Sequence, residues 1–103
     1  MTDSIRFYND LIPSVLSGKK TITIRRQSRC CYRPGRRFRM LRHSDGVQFG
    51  ELEVLSVKDI RYQDLNDRHA AQENMTLSDL RKLIQKIYPG IEHLTVISFK
   101  LIR

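Results

Sequence analysis

Apolar and polar residues alternate along several short stretches of this chain, and in two places the apolar positions instead fall three and four apart. SIRFY at 4–8 turns Ile5 and Phe7 to one side, the pattern of a short first strand. NDLIPSVLSG at 9–18 gathers Leu11, Ile12, Val15 and Leu16 on one helical face, with Asp10 as the cap, Pro13 in the first turn and Gly18 as the stop. KKTITIRR at 19–26 alternates strictly, with Ile22 and Ile24 opposed to Thr21, Thr23 and Arg25. That predicts a half-buried strand whose polar face carries hydroxyls and a guanidinium. RPG at 33–35 reads as a turn, RFRMLRH as a basic strand, SDG at 44–46 as a hairpin turn, and VQFGELEVLSV at 47–57 as a long strand.

The pattern then changes period. DLNDRHAAQEN at 64–74 is polar and reads as a short helix or helical loop. Thr76, with Asp79 three residues on, opens a helix that carries Leu80, Leu83, Ile84 and Ile87 on one face, and Pro89-Gly90 stops it. LTVISFKLI at 94–102 is apolar on both faces, as a central strand would be. The predicted order is β-α-β-β-β-α-α-β. The fold class is α+β, mainly β: a small, partly open barrel with helices plugging one end, formed by a single domain over 1–103.

Composition narrows this picture. The chain has 103 residues, 40% of them hydrophobic, which suffices for one core of modest size. No apolar run approaches a membrane span, and the acid-bearing start MTDSIRFYND does not fit a signal peptide. A cytoplasmic monomer is the expectation. Cys30 and Cys31 are adjacent, which suits reduced thiols better than a disulfide, and His43, His69 and His93 are too scattered for a metal site. No metal and no cofactor are expected.

Charge is distributed unevenly. The net charge is +8, yet residues 11–44 hold ten of the 19 bases and none of the 11 acids. Such a block attracts phosphates, so the 19–42 segment is a candidate for contact with RNA. A solubilising face would have the same composition, and Tyr32 and Phe38 make a thin stacking platform.

Two segments carry candidate chemistry. GKKTITIR at 18–25 sets two lysines beside two threonines and an arginine. A threonine hydroxyl becomes a nucleophile only when a base takes its proton, and a lysine serves as that base only if desolvation or nearby cations lower its pKa. On a regular strand Lys20 and Thr23 face opposite ways, so their cooperation requires Lys20 to sit in the turn after Gly18, or a bulge between them. RHAAQENMT at 68–76 offers Glu73, with Gln72 and Asn74 able to hydrogen-bond a base edge or an amide. Taken alone, both segments also fit exposed strand and loop residues.

These two segments, with VISFK at 96–100, resemble the small bacterial ASCH-domain proteins of the YqfB type, over nearly the whole chain. The resemblance implies a PUA-like (ASCH) β-barrel with flanking helices. It also implies a metal-independent N(4)-acetylcytidine amidohydrolase acting on a small modified nucleoside. Matched residue by residue, it implies Lys20 as base, Thr23 as nucleophile and Glu73 as proton donor, with Arg25 orienting substrate or stabilising charge. The alternatives are a non-catalytic PUA-like RNA-binding module, or a regulatory domain whose basic face meets an acidic partner. Neither requires the Lys20, Thr23 and Glu73 trio.

Overall fold

The computed structural model describes residues 3–26 and 32–102. Cys30 and Cys31, and Arg29 of the basic block, lie outside the described residues. The elements are β1 (Asp3–Phe7), α1 (Ile12–Leu16), β2 (Ile22–Arg26), β3 (Arg37–Arg42), β4 (Gln48–Arg61), α2 (Asp67–Gln72), α3 (Leu77–Ile87) and β5 (His93–Ile102). A 3₁₀ turn at Asn9–Leu11 leads into α1, and another at Tyr62–Asp64 follows β4. The element order matches the alternation pattern.

The five strands form one sheet in the order β1-β3-β4-β5-β2, parallel only between β1 and β3. β1 and β2 are the two edges, yet the Arg25 guanidinium on β2 donates from Nη2 to the backbone oxygen of Arg6 on β1, at 2.6 Å. The sheet therefore curls until its edges lie one side chain apart, a barrel left open along that seam. β5 is flanked by β4 and β2, which explains why it is apolar on both faces. Leu94 and Val96 face the helices, while Ile97 and Phe99 face the barrel interior. A bulge between Val54 and Ser56 leaves Leu55 exposed and returns Val57 to the interior face, where it packs on the barrel core.

Two apolar clusters result. One fills the barrel with Ile5, Phe7, Val15, Phe38, Met40, Leu52, Val54, Ile97 and Phe99. The other joins Ile22 and Ile24 of β2 to Leu65, Ala70, Leu80 and Ile84 beneath α2 and α3. Leu80 and Ile84 are fully buried, each worth about 2 kcal/mol by the area removed from water. Leu83 and Ile87, the rest of the predicted stripe, are only half-buried, because they face a cavity.

Local signals account for the helices with one exception. Thr76 caps α3, its Oγ1 accepting from the Asp79 N–H at 3.1 Å. The polar α2 holds together through a cap that the pattern did not reveal: the Asn66 side chain accepts from the Arg68 and His69 amides, and His69 Nδ1 accepts from the Asn66 amide. Asp10 does not cap α1; no side chain does, and the helix is five residues long, entered through the 3₁₀ turn. No helix among the described residues is long and apolar enough to cross a membrane.

Candidate active site

The seam between β1 and β2 opens into a cavity of about 210 Å³. Lys20, Thr23 and Glu73 all line it, together with Arg25. The structure thus brings together the four residues that the two sequence segments offered as a catalytic set. Lys20, Thr23 and Glu73 are 2%, 3% and 4% exposed, so the reading of Thr23 as part of a solvent-facing polar edge is corrected. In register, Thr23 lies opposite Ile97, whereas Ile22 and Ile24 flank it on the helix side. What looks in sequence like the wet face of β2 is the inside of the barrel.

Lys20 reaches the same space because it is not on the strand. Gly18 takes φ +80°, a left-handed conformation that releases the chain from α1, and β2 begins only at Ile22. The junction is pinned on both sides. The Lys20 amide donates to the Ser14 carbonyl at 2.9 Å and the Thr21 amide to the Gln72 carbonyl at 2.8 Å.

Glu73 stands at the end of α2, where the chain turns through Asn74 at φ +58°. The Met75 amide bonds back to the Ala70 carbonyl and the Asn74 amide to that of Ala71, a Schellman closure with asparagine in the left-handed position. Asn74 Nδ2 also donates to Ser14 Oγ at 3.1 Å. Ser14 therefore holds both arms, Lys20 through its carbonyl and Asn74 through its hydroxyl. Asn74 Nδ2 is thus engaged within the fold, and Asn74 does not line the cavity.

Inside this frame Lys20 Nζ hydrogen-bonds Glu73 Oε1. Burial pushes Lys20 below the usual lysine range, and Arg25 adds to this, against the opposing pull of Glu73. Burial likewise pushes Glu73 above the usual carboxylate range, against Lys20 and Arg25. Both directions favour the uncharged forms, an amine and a carboxylic acid. Arg25 Nε donates to Thr23 Oγ1 at 2.9 Å. Its guanidinium lies 5.2 Å from the Phe7 ring centre and Lys20 Nζ lies 5.9 Å from the same centre, so Phe7 is the common floor for both cations. Among the described residues no three His, Cys, Asp or Glu side chains gather as a metal site would require.

Several contributors were invisible in sequence. Phe7 read only as an inward strand residue, and Arg6, Tyr8, His43 and Tyr88 reach the cavity from segments distant along the chain. Asn74 had a usable signal, since asparagine tolerates the left-handed conformation that ends a helix.

A protein from Edwardsiella ictaluri named N(4)-acetylcytidine amidohydrolase is 48% identical over 103 residues, covering 100% of this chain and 96% of its own. Its namesake from Cronobacter sakazakii is 48% identical over 100 residues, covering 97% and 96%. The chain belongs to the N(4)-acetylcytidine amidohydrolase family. As a member of that family it is a hydrolase. No protein-family model matches the chain. The chain's fold is seen in solved structures: an ASCH domain from Lactobacillus crispatus superposes with TM-score 0.78 at 16% identity, over 90% of this chain and 70% of that one. ASCH from Zymomonas mobilis gives 0.75 at 16% identity, over 97% and 69%. The amidohydrolase therefore has the ASCH fold, as the resemblance implied.

Proposed function

We propose that this chain hydrolyses N(4)-acetylcytidine to cytidine and acetate, with Thr23 as nucleophile, Lys20 as base and Glu73 as proton donor. The observation that carries the reading is the buried Lys20–Glu73 pair lining one cavity with Thr23. An amide is a poor electrophile with a poor leaving group, so its cleavage needs an activated nucleophile, charge stabilisation on oxygen and a proton for nitrogen. The cavity supplies one group for each.

Lys20, its pKa lowered by burial, takes the Thr23 hydroxyl proton as Oγ1 attacks the acetyl carbonyl carbon. The Arg25 hydrogen bond to Oγ1 favours the developing alkoxide. Negative charge then moves to the former carbonyl oxygen. The amides of Lys20 and Thr21 are already spent on Ser14 and Gln72, so Arg25, with Nε and Nη2 engaged, stabilises it through Nη1. As the C–N bond breaks, Glu73 gives its proton to the exocyclic nitrogen and cytidine leaves. A water molecule next attacks the acetyl-threonine while the Glu73 carboxylate accepts its proton. Acetate departs as Lys20 returns a proton to Thr23 Oγ1, and the starting state is restored.

All the groups come from one chain, so the proposed site is complete within a single copy. The basic 19–42 segment remains a candidate for RNA contact, with two of its arginines already paired to carboxylates. Arg37 pairs with Glu53 at 3.6 Å across the sheet, and Arg42 pairs with Asp45 at 2.9 Å.

The test is release of cytidine from N(4)-acetylcytidine by purified protein, beside Thr23→Ala, with a chelator present. Turnover by the wild type that the substitution lowers by about 10³-fold or more supports the nucleophile. Absence of wild-type turnover overturns the reading in favour of an RNA-binding module.

A further inference from the structure

We infer that the cavity mouth recognises a phosphate ester on the substrate's ribose, with Arg6 as the recognising side chain. This rests on the acetylcytidine reading and specifies its substrate class. A cavity of about 210 Å³ is below the range of pockets that enclose a whole ligand, roughly 300–1,000 Å³. The acetyl group must reach Lys20, Thr23 and Glu73, which are the buried part of the lining, so the acetylated base fills the interior. The ribose is left among the exposed part, which is Arg6, Tyr8 and His43.

The charge there is unbalanced in a specific way. Three other basic residues of the sheet meet carboxylates: Arg37 and Lys100 share Glu53, and Arg42 has Asp45. At the cavity, Arg25 bonds only to Thr23 Oγ1 and the Arg6 carbonyl, and Arg6 Nη1 only to the His43 carbonyl at 3.2 Å, among the described residues. The one acid of the lining, Glu73, is taken up by Lys20 at the bottom. Arg6 is also held in place. Its guanidinium fits against Gly46, where an added Cβ would come within 3.2 Å of Nη2. A fixed guanidinium with neutral partners and free donors, at the exit for a ribose, is suited to bidentate capture of phosphate. Tyr8 and His43, with ring centres 4.6 Å apart, form the adjoining wall.

The phosphate belongs either to a free 5′-nucleotide or to the backbone of an RNA strand, and the substrates separate the two. kcat/KM is measured at low salt for N(4)-acetylcytidine, its 5′-monophosphate and a short single-stranded RNA with one internal acetylcytidine. Wild type and Arg6→Gln are compared, with Arg6→Lys keeping the charge without the fork and melting curves reporting the fold. The expected result is a gain of about tenfold or more for a phosphorylated substrate over the nucleoside. That gain is nearly lost in Arg6→Gln and shrinks as salt rises. A gain confined to the monophosphate identifies the free nucleotide, and one confined to the oligonucleotide identifies RNA. No gain for either, or a gain unaltered in Arg6→Gln, overturns the inference. Calorimetric binding of cytidine 5′-monophosphate against cytidine separates this from the reaction itself. Tighter binding of the monophosphate that needs Arg6 would stand even if no substrate were turned over, and only the amidohydrolase reading would then fall.

Discussion

Lys20 and Glu73 are 53 positions apart in sequence, yet they share one hydrogen bond while each is almost wholly withdrawn from water. Two full charges held there would each carry a desolvation penalty of several kcal/mol, which their attraction offsets only in part. The pair is therefore poised to exchange a proton, which suits a site that needs a neutral amine and a protonated acid together.

The first prediction concerns pH. The proposed reaction needs Lys20 unprotonated and Glu73 protonated. Activity falls on the acid side as Lys20 gains its proton, and on the alkaline side as Glu73 loses its own. Since Lys20 lies below 10.5 and Glu73 above 4.5, the acid limb of kcat/KM falls below pH 10.5 and the alkaline limb above pH 4.5. They describe the coupled pair, and Glu73→Gln should remove the alkaline limb that it contributes. An alkaline limb that survives unchanged in Glu73→Gln would contradict the assignment.

Stability of the pair gives the second. Lys20→Met alone strands a buried carboxyl group and should cost about 3 kcal/mol in urea unfolding near neutral pH. Lys20→Met with Glu73→Leu removes both polar groups and should recover most of that loss while remaining inactive. Additive losses in the double variant would mean that the two residues do not act as a unit.

The Ser14 bridge gives the third. Ser14→Ala and Asn74→Gly each remove the bond between Ser14 Oγ and Asn74 Nδ2, glycine keeping the left-handed turn. Each should cost about 1 kcal/mol of stability, and the double variant should cost little more than either alone. The expected kinetic effect is a several-fold fall in kcat with KM nearly unchanged, because Glu73 is placed less firmly. Asn74→Ala should be less stable than Asn74→Gly, since φ +58° strains a residue with a Cβ.

Arg25 gives the fourth. Lysine at this position keeps a positive charge but cannot bond Thr23 Oγ1 and the Arg6 carbonyl at once. Arg25→Lys should lower kcat about 10²-fold. The melting temperature should fall by a few degrees, since the seam between β1 and β2 loses its cross-link. Retained activity would remove Arg25 from the oxyanion role.

The candidate site was legible to different depths. Lys20, Thr23 and Arg25 lie within six residues, and their unusual density singles them out before any fold is known. Glu73 could be singled out only as an acid in a polar stretch. Nothing local links it to Lys20, because the link is made by α2 folding back against the start of β2 through the Gln72–Thr21 backbone bond. Arg6 and His43 carried no signal at all.

By itself the sequence determined the element order, the two-faced apolar character of β5, the stripe on α3, and that Lys20 and Thr23 cooperate only with Lys20 in the turn before the strand or across a bulge. Each follows from side-chain periodicity and turn chemistry, which act within a few residues. Only the tertiary structure decided which side of β2 is inside. Alternation separates two faces without saying that one is wet, and the curling of the sheet turned the polar face inward. That reversal buries Thr23 and brings Lys20 and Glu73 together out of water, where burial lowers the lysine's pKa and raises the glutamate's.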